Sequence, residues 1–268
     1  MDGIVERFSV TFSRVPSTIQ SIERAAAILR LLSGRNRRLG VAQIAGELEL
    51  PKGTVHGILR TLTAVGFVEQ DDETGRYQLG AALLHMGSSY LDGNELRTRA
   101  LNWSDSLASR THESVRIGTL HEGQVLIVHH VFRPDDSLQT LDVGSLLPAH
   151  ATALGKILLA HYPYAAGELT KAGLVAFTDA TITDTDRLER ELARVRQRGW
   201  AADIGELDSR QVSFAAPIID RREVVVGAMG ISGPPERLLA ARQPRHDLVA
   251  YVREAARAVS RELGAIPW

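Results

Sequence analysis

The sequence predicts a two-domain α+β protein, in which a small helical domain with one β-hairpin precedes a larger α/β domain. Its 268 residues exceed the usual size of a single hydrophobic core. Before residue 66, apolar residues recur three times at helical spacing, and a short hairpin pattern follows them. Beyond residue 112, runs rich in β-branched residues alternate with helical stretches. Short connections between these runs favour a largely antiparallel sheet.

The composition is that of an ordinary folded protein, with 44% hydrophobic and 24% charged residues. The chain has no cysteine, which excludes disulfides, thiolate metal sites and thiol nucleophiles. The first ten residues include Asp2 and Glu6 and lack the apolar segment of a secretory signal. No apolar run approaches the roughly 18 residues that a membrane helix needs. We therefore expect a soluble, cytoplasmic protein without membrane contact. No sequence pattern indicates a cofactor, so none is expected.

The first helix is predicted to follow a flexible arm. Residues 1–16 show no hydrophobic period and end at a proline, which is typical of such an arm. The spacing from Ser17 to Gln20 is that of a capping box and predicts the start of a helix, and Gly34 is a usual residue for its end. The apolar face of this helix is expected to consist of Ile22, Ala25, Ala26, Leu29 and Leu32.

Two further helices and a hairpin complete the first domain. A third helix begins at Pro51, because proline lacks the N–H that a first helical residue leaves unbonded. An acidic turn at 71–75 separates Phe67–Val68 from Arg76–Leu79, which predicts a hairpin. This order is typical of a winged helix-turn-helix, which binds duplex DNA. The apolar positions are Val41, Ile44, Ala45 and Leu48 in the second helix, and Val55, Ile58, Leu59 and Leu62 in the third.

The charge distribution agrees with a DNA-binding first domain. The whole chain has a formal net charge of −1, which alone does not favour nucleic acid. Between residues 24 and 61, however, seven arginines and lysines stand against two glutamates. Such a local excess suits phosphate contacts, and a merely solvated face is the alternative.

A linker helix is predicted between the two domains. At Gly80 the hairpin pattern changes to a helical one, which breaks at Asp92-Gly93-Asn94. We thus expect the DNA-binding domain at 17–80, the linker helix at 81–94 and the second domain at 95–268. In the second domain, strands are expected at Ser114–Leu120, Gln124–Val131, Ser213–Ile219 and Val224–Ile231, and helices near 152–161, 184–198 and 243–263.

Several segments resemble the IclR family of transcription regulators. In the first domain they read IERAAAILRLL and VAQIAGELELPKGTVHGILRTLTAVGFVEQDDETGRYQLGAALLHMG. In the second they read GSLLPAHATALGKILLA, RQRGWAADIGELDSRQVSFAAPIID and GAMGISGP. The resemblance covers about residues 20–265. It implies a GAF-like α/β effector-binding domain in a bacterial repressor or activator. Such a regulator binds double-stranded operator DNA as a homodimer or dimer of dimers, under the control of a small-molecule effector.

The resemblance also places the DNA contacts. The recognition helix corresponds to Pro51 through Ala64, and the wing to Asp71–Tyr77. Gly53 and Gly57 stand where family members often have a serine and an arginine, which leaves the middle of the DNA face without two side chains. Each glycine weakens a helix by about 0.5–1 kcal/mol and allows a close backbone approach. The candidate DNA-binding residues are Gln43, Lys52, Gly53, Thr54, His56, Gly57, Arg60, Thr61 and Arg76.

The family's effector contacts correspond to Ala153, Leu154, Asp203, Ser213, Gly230 and Ser232. A helix beginning near Ala151 would offer N–H groups to an anion, and Asp203 and the serines could bond hydroxyl or carbonyl groups. The resemblance implies a small carboxylate or an aromatic acid as effector. Gly230, where a serine can occur, predicts a roomier pocket. Arg116 could pair with an effector carboxylate, although a surface salt bridge is the commoner case.

The alternative function is a metabolic enzyme or catalytic sensor that uses the pocket of the second domain. It would need titratable groups that converge there. Asp203, Glu206 and His150 form the only plausible trio, and no sequence pattern brings them together. The nine histidines show no compact metal-ligand spacing. The sequence therefore predicts a regulator without catalytic activity and without a metal site.

Overall fold

The computed structural model describes residues 19–34, 38–135 and 138–266. The expected arm at 1–16, the expected cap at Ser17 and the basic residues Arg35 and Arg37 lie outside these ranges. The chain divides into two compact units, with the boundary between Gly93 and Asn94, and each unit is described by itself. Within the described residues, none of the helices combines the length and the apolar composition needed to cross a bilayer.

The first unit is a winged helix-turn-helix, as the sequence predicts. Its core is built from Ile28, Ile44, Val55, Leu59 and Val68, none of which is exposed to solvent. The expected face of the first helix is wrong at one position, because Ile22 is 63% exposed while Ile28 takes the central place in the core. The elements are α1 (Gln20–Leu32), α2 (Val41–Glu47), α3 (Lys52–Ala64), β1 (Val68–Gln70), β2 (Tyr77–Leu79) and α4 (Ala81–Asp92).

Local geometry explains where α3 and the hairpin lie. Glu49 adopts the left-handed conformation, with φ of 52°, and so turns the chain sharply between α2 and α3. Helix α3 begins at Lys52, and Pro51 is its N-cap residue. The sequence predicts that the helix begins at Pro51, one position earlier. Strands β1 and β2 pair antiparallel, and Leu39 forms a further bridge to Tyr77. These contacts attach the hairpin, or wing, to the three helices.

The second unit is a mixed α/β domain with a six-stranded sheet, in which every pairing is antiparallel. The strand order is β5-β4-β3-β8-β7-β6. The strands are β3 (Ser114–His121), β4 (Gln124–Val131), β5 (Leu146–Pro148), β6 (Ala201–Ile204), β7 (Val212–Ile219) and β8 (Val225–Gly233), and a separate short hairpin pairs β9 (Leu239–Ala240) with β10 (Gln243–Pro244). The helices are α5 (Glu95–Thr111), α6 (Ala153–His161), α7 (Pro163–Ala172), α8 (Thr185–Arg198), α9 (Pro235–Leu238) and α10 (His246–Glu262).

Helices cover both faces of the sheet. Helix α6 packs across β3, β6, β7 and β8, and its Ile157 belongs to the same apolar core as small strand residues such as Ala201, Ala215 and Ala228. Helices α5 and α10 pack against the opposite face. Because neighbouring residues of a strand point to opposite faces, the position of α6 decides which side chains share its surface.

The sequence missed the elements that lack a strong period. Strands β5 and β6 have only three and four residues, so they offer too few alternations to stand out. Helix α7 was also missed, and it has no fully buried residue. The last helix begins at His246 and not near 243, because Gln243 and Pro244 pair with β9.

Candidate functional site

Helix α3 presents a polar face to solvent in the first unit. Val55, Leu59 and Leu62 are buried on the opposite side of the helix, as the helical period requires. Of the candidate DNA-binding residues on α3, Thr54 and Gly57 are half-buried, whereas the exposed ones are Lys52, Gly53, His56, Arg60 and Thr61. The structure therefore brings these candidates together on one surface.

The two glycines of this face have no structural reason within the unit. Neither has a positive φ, and a Cβ atom added at Gly53 or Gly57 would meet nothing within 4 Å. Thr61 donates a hydrogen bond from its hydroxyl to the carbonyl of Gly57, at 3.1 Å. The middle of the face is thus bare backbone, flanked by the side chains of Lys52 and Arg60.

The wing turn is held by its own acidic residue. The Oδ1 atom of Asp71 accepts hydrogen bonds from the backbone and the hydroxyl of Thr74, both at 2.8 Å. These bonds hold the pKa of Asp71 below its usual value. Arg38 forms an ion pair with Asp71 at 3.4 Å, and Arg76 at the end of the turn is exposed. The side chain of Gln43 accepts a bond from the N–H of Gly40 and so caps α2.

A row of polar residues crosses the second unit on the sheet face that α6 covers. Asp203 stands opposite Ser213, and Ser213 stands opposite Ser232, in adjoining strands. The hydroxyl of Ser213 donates to Oδ2 of Asp203 at 3.3 Å. Three of the six candidate effector residues are thereby neighbours, although they lie up to 29 positions apart in the sequence.

The row continues through residues that are not among the six candidate effector residues. Arg116 donates a short hydrogen bond to the hydroxyl of Ser232 and pairs with Asp142 at 2.7 Å. The backbone N–H of Asp142 donates to Nδ1 of His130 at 3.1 Å, and Nε2 of His130 bonds to the hydroxyl of Ser114 at 2.9 Å. We call this continuous set the polar strip, formed by Asp203, Ser213, Ser232, Arg116, Asp142, His130 and Ser114. The salt bridge expected for Arg116 is present, but it is three-quarters buried rather than on the surface.

Histidine 130 is neutral in this arrangement. Burial, together with the nearby guanidinium of Arg116, lowers the pKa of His130 to about 4. Because Nδ1 accepts the Asp142 N–H, Nε2 must be the nitrogen that carries the proton and donates it to Ser114. The neighbouring His129 points to the opposite face of the strand, toward α5, as alternation predicts.

Beside the strip, α6 contributes a buried cation. Lys156 is 1% exposed, and its ammonium donates to the carbonyl of Ala202 at 3.0 Å and makes a close ion pair with Glu206. The backbone N–H of Glu206 donates to Oδ1 of Asp203 at 2.7 Å. Burial raises the pKa of Asp203 to about 7, and it also raises the pKa of Glu206. Lys156 therefore pairs with one buried carboxyl group, that of Glu206, and lies near a second, that of Asp203, whose pKa is about 7.

The remaining candidate effector residues are packed inside the protein. Ala153 and Leu154 are 0% and 6% exposed and belong to the apolar core beneath α6. A Cβ atom at Gly230 would lie 2.5 Å from the carbonyl oxygen of Phe214. The glycine thus makes room for the neighbouring strand, and the expectation of a roomier pocket is not supported.

The start of α6 also differs from the expectation. The helix begins at Ala153, after a single 3₁₀ turn at Ala149–Ala151. The hydroxyl of Thr152 accepts the N–H of Gly155 at 3.2 Å. One of the backbone N–H groups that were expected to bind an anion is therefore already bonded to the N-cap residue of the helix.

The trio considered for an enzyme is only partly assembled. Asp203 and Glu206 are adjacent, as described above, but His150 bonds instead to the carbonyl of Val175 at 2.9 Å and packs near the ring of Phe177. In the portion of the chain that the structure describes, no group of three or more histidine, aspartate or glutamate side chains has the arrangement of a metal site.

Comparison with known proteins assigns both units. Residues 21–72 match the model of the IclR helix-turn-helix domain, and residues 88–261 match that of the bacterial transcriptional regulator IclR C-terminal domain. The chain is 58% identical to a glycerol operon regulatory protein of Streptomyces coelicolor, over 92% of this chain and 97% of that one. It is 53% identical to a protein of the same name from Streptomyces griseus, with the same coverage.

A solved structure supports the fold. A transcriptional regulator from Rhodococcus sp. RHA1 superposes with a TM-score of 0.77 at 28% identity, over 92% of this chain and 99% of that chain. The matched domains and these relatives are transcription regulators and not enzymes.

Proposed function

Because this chain belongs to the IclR family of bacterial transcriptional regulators, we propose that it binds an operator as a homodimer and that a small molecule held at the polar strip modulates this binding. In this proposal residues 17–80 bind DNA, 81–94 link the domains and 95–268 bind the effector. The observation that carries the proposal is the exposed polar face of α3, opposite a buried apolar face, beside an exposed wing arginine.

Operator binding is assigned to the α3 face and the wing. Arg60 and Lys52 supply the positive charge, since guanidinium groups read guanine edges and both side chains pair with phosphates. Thr54, His56 and Thr61 supply further donors, and Arg76 reaches the backbone or minor groove from the wing. Gln43, which already caps α2, is assigned a supporting contact to the backbone. Gly53 and Gly57 let the helix backbone approach the floor of the groove closely.

A homodimer is favoured by the surface of α4. This helix has no fully buried residue, and its side chains Leu84, Met86 and Tyr90 are 75%, 56% and 57% exposed. A soluble chain rarely leaves so much apolar surface uncovered on one helix. Two copies joined here would present two recognition helices to successive major grooves, which lie about 34–36 Å apart. We expect the full chain to elute at twice its mass, or at four times that mass for a dimer of dimers.

The target of regulation is proposed from the relatives. Both Streptomyces proteins carry the name of a glycerol operon regulator, so we propose that this chain controls an operon for glycerol use. A small hydroxylated compound suits the strip, where Asp203 accepts and Ser213 and Ser232 both donate and accept hydrogen bonds. The small carboxylate implied by the family resemblance fits the same row if it also reaches Arg116. An aromatic acid is disfavoured, because the space beside Gly230 is filled by β7.

Retardation of the DNA upstream of the chain's own gene tests the proposed function. We expect a shift of duplex DNA that weakens steeply as salt rises, because phosphate contacts release counterions. A small hydroxylated effector should change the apparent affinity by about 5–150-fold, and operator DNA should change the effector's affinity by the same factor. Binding that does not depend on salt or sequence would contradict the proposal. Turnover of the compound without any DNA shift would instead favour the enzyme alternative.

A further inference from the structure

Arg116 and Asp142 form the end of the polar strip, and neither was assigned to effector binding by the family's contacts. Arg116 stands opposite Gly230, which has no side chain, and its guanidinium reaches Ser232 two residues further along β8. The same guanidinium binds Oδ2 of Asp142 at 2.7 Å. One cation therefore joins a candidate effector residue to a carboxylate that follows β4 in the chain.

Asp142 is attached to the strip by two polar contacts. Its carboxylate holds Arg116, and its N–H donates to His130. The two leucines that precede it, Leu138 and Leu141, are 105% and 59% exposed, so their side chains bury little apolar surface. Within segment 138–142, Gln139 is held by two hydrogen bonds to the backbone of Arg133, and Asp142 at the other end is held by Arg116 and His130.

The charges of the strip limit what can bind beside Arg116. The guanidinium is its single cation, His130 is neutral, and Asp142 supplies a full negative charge at 2.7 Å. A second anion beside the same guanidinium would meet Asp142 as a like charge in a partly buried place. An anionic group therefore binds Arg116 most favourably by replacing the Asp142 carboxylate, since the exchange keeps one anion on one cation.

We propose that Arg116 is a further effector-binding residue, which holds an anionic group of the effector, a carboxylate or a phosphate, in place of the Asp142 carboxylate. This inference rests on the proposed function. Arginine suits the task because its planar fork binds either group through two parallel hydrogen bonds. Displacement of Asp142 also frees the end of segment 138–142 from the strip, while Gln139 still holds its start to Arg133. The second domain then has two arrangements that ligand occupancy can select.

Three compounds with the same carbon skeleton separate the possibilities. Glycerol has no charge, glycerate carries a carboxylate and glycerol phosphate carries a phosphate. Their affinities for the full-length chain would be measured by calorimetric titration at fixed pH and salt. In Asp142→Asn, at least one charged compound should bind about tenfold more tightly than in the wild type, because its internal competitor has lost its charge. The affinity for glycerol should not change.

Variants of the cation and a matched control complete the test. Arg116→Gln should weaken the charged compound at least about tenfold, and Arg116→Lys should restore part of that loss because the charge returns without the fork. Asp247→Asn removes the same charge from the Arg245–Asp247 pair, at the start of α10, and should leave all affinities unchanged. Which charged compound responds decides between a carboxylate and a phosphate.

Hydrogen exchange reports the displacement itself. The amide of Asp142 is bonded to His130 in the unliganded chain, so its exchange should speed up when the charged compound binds and should not respond to glycerol. Equal responses of Asp142→Asn and Asp247→Asn, or no tighter binding of either charged compound, would overturn the inference. If the chain still shifts operator DNA in that case, the proposed function stands although the inference about Arg116 fails. If the chain shifts no operator DNA, the proposed function itself is contradicted.

Discussion

At the scale of single residues, the candidate sites depend on a few charged side chains with contrasting environments. Arg60 lies exposed on α3, whereas Lys156 is almost wholly buried and forms an ion pair with Glu206. Arg116 is intermediate, with a quarter of its side chain exposed. Exposure therefore separates charges that can meet a macromolecule from charges that hold the fold or meet a small ligand.

Arg60→Ala should weaken operator binding by about 1–3 kcal/mol without loss of folding, because the side chain lies outside the core. Leu59→Ala, one residue earlier on the buried face, should cost about 2–5 kcal/mol of folding free energy. Retardation assays and thermal unfolding would measure the two effects. Arg190→Ala, which removes an exposed arginine from α8, is the control and should affect neither. Unchanged affinity in natively folded Arg60→Ala would contradict the assignment of this face to DNA.

The pKa of Asp203 gives the second unit a predictable pH dependence. It is about 7 in the folded protein and 3.8 ordinarily, so the folded state keeps a proton that the unfolded chain releases. The contribution of Asp203 to the free energy of unfolding is therefore complete below about pH 4 and falls as pH rises to 7, by at most about 1.4 kcal/mol per unit.

Urea unfolding of the wild type and of Asp203→Asn between about pH 5 and 8 checks this expectation. All three tryptophans lie in residues 94–268, so their fluorescence follows the second unit. The stability advantage of the wild type over the variant should shrink as pH rises. Burial also raises the pKa of Glu206, so only the difference between the two proteins is assigned to Asp203. A difference that stays constant over this range would show that Asp203 is already ionised.

At the scale of elements, glycine has opposite roles in and beside α3. Gly53 and Gly57 are helical, and a Cβ there would enter open space. Gly80, between the wing and α4, is close-packed, because a Cβ would lie 2.3 Å from the carbonyl oxygen of Gly66. The first two glycines weaken their helix without a packing gain inside the unit, so we expect their benefit to come from contact with DNA.

Alanine at Gly53 or Gly57 should raise the stability of the first unit by about 0.5–1 kcal/mol, since alanine is the better helix former. The same variants should bind the operator less tightly, because the added methyl group holds the helix away from the groove. Gly80→Ala should instead destabilise the first unit and lower its melting temperature, because the added methyl group would clash with the backbone of Gly66. Gly46→Ala in α2, also exposed with open space around it, controls for helix propensity. Stabilisation with full operator affinity would show that the glycines serve no close approach.

At the scale of the whole molecule, the chain consists of two units with separate cores. The core of the first unit is formed by its three helices and wing, and that of the second by α6, α8 and the sheet. Asn94 begins the second unit by capping α5, where its side chain accepts the N–H of Arg97 at 2.9 Å. Each unit therefore has what independent folding requires.

A fragment of residues 94–268 should fold alone and unfold cooperatively, but it should not shift operator DNA. Tryptophan fluorescence and retardation assays measure the two properties. The full chain is the control for operator binding. Aggregation of the fragment, or a broad transition without cooperativity, would mean that the second unit needs the first one to fold.

The sequence by itself determined the helices and strands that have a clear period, and the family. Period and turn residues are local properties, so they place α3, its buried face and the β7–β8 hairpin correctly. Strand β6 is too short to show a period, so the sequence does not predict it. Ile22 lies near the start of α1, where the sequence predicts burial but the side chain is exposed. The resemblance gave Asp203, Ser213 and Ser232 as a set, and only cross-strand register made them neighbours.

The tertiary structure alone decided the rest of the polar strip. Arg116 lies 26 residues from Asp142 and 116 from Ser232, and Lys156 lies 50 residues from Glu206. Which residues meet over such separations depends on strand order and on the face that α6 covers. Strand order is set by the burial of whole faces, and many orders are compatible with the same alternation of apolar and polar residues. The partners of a charged side chain therefore follow from the assembled sheet.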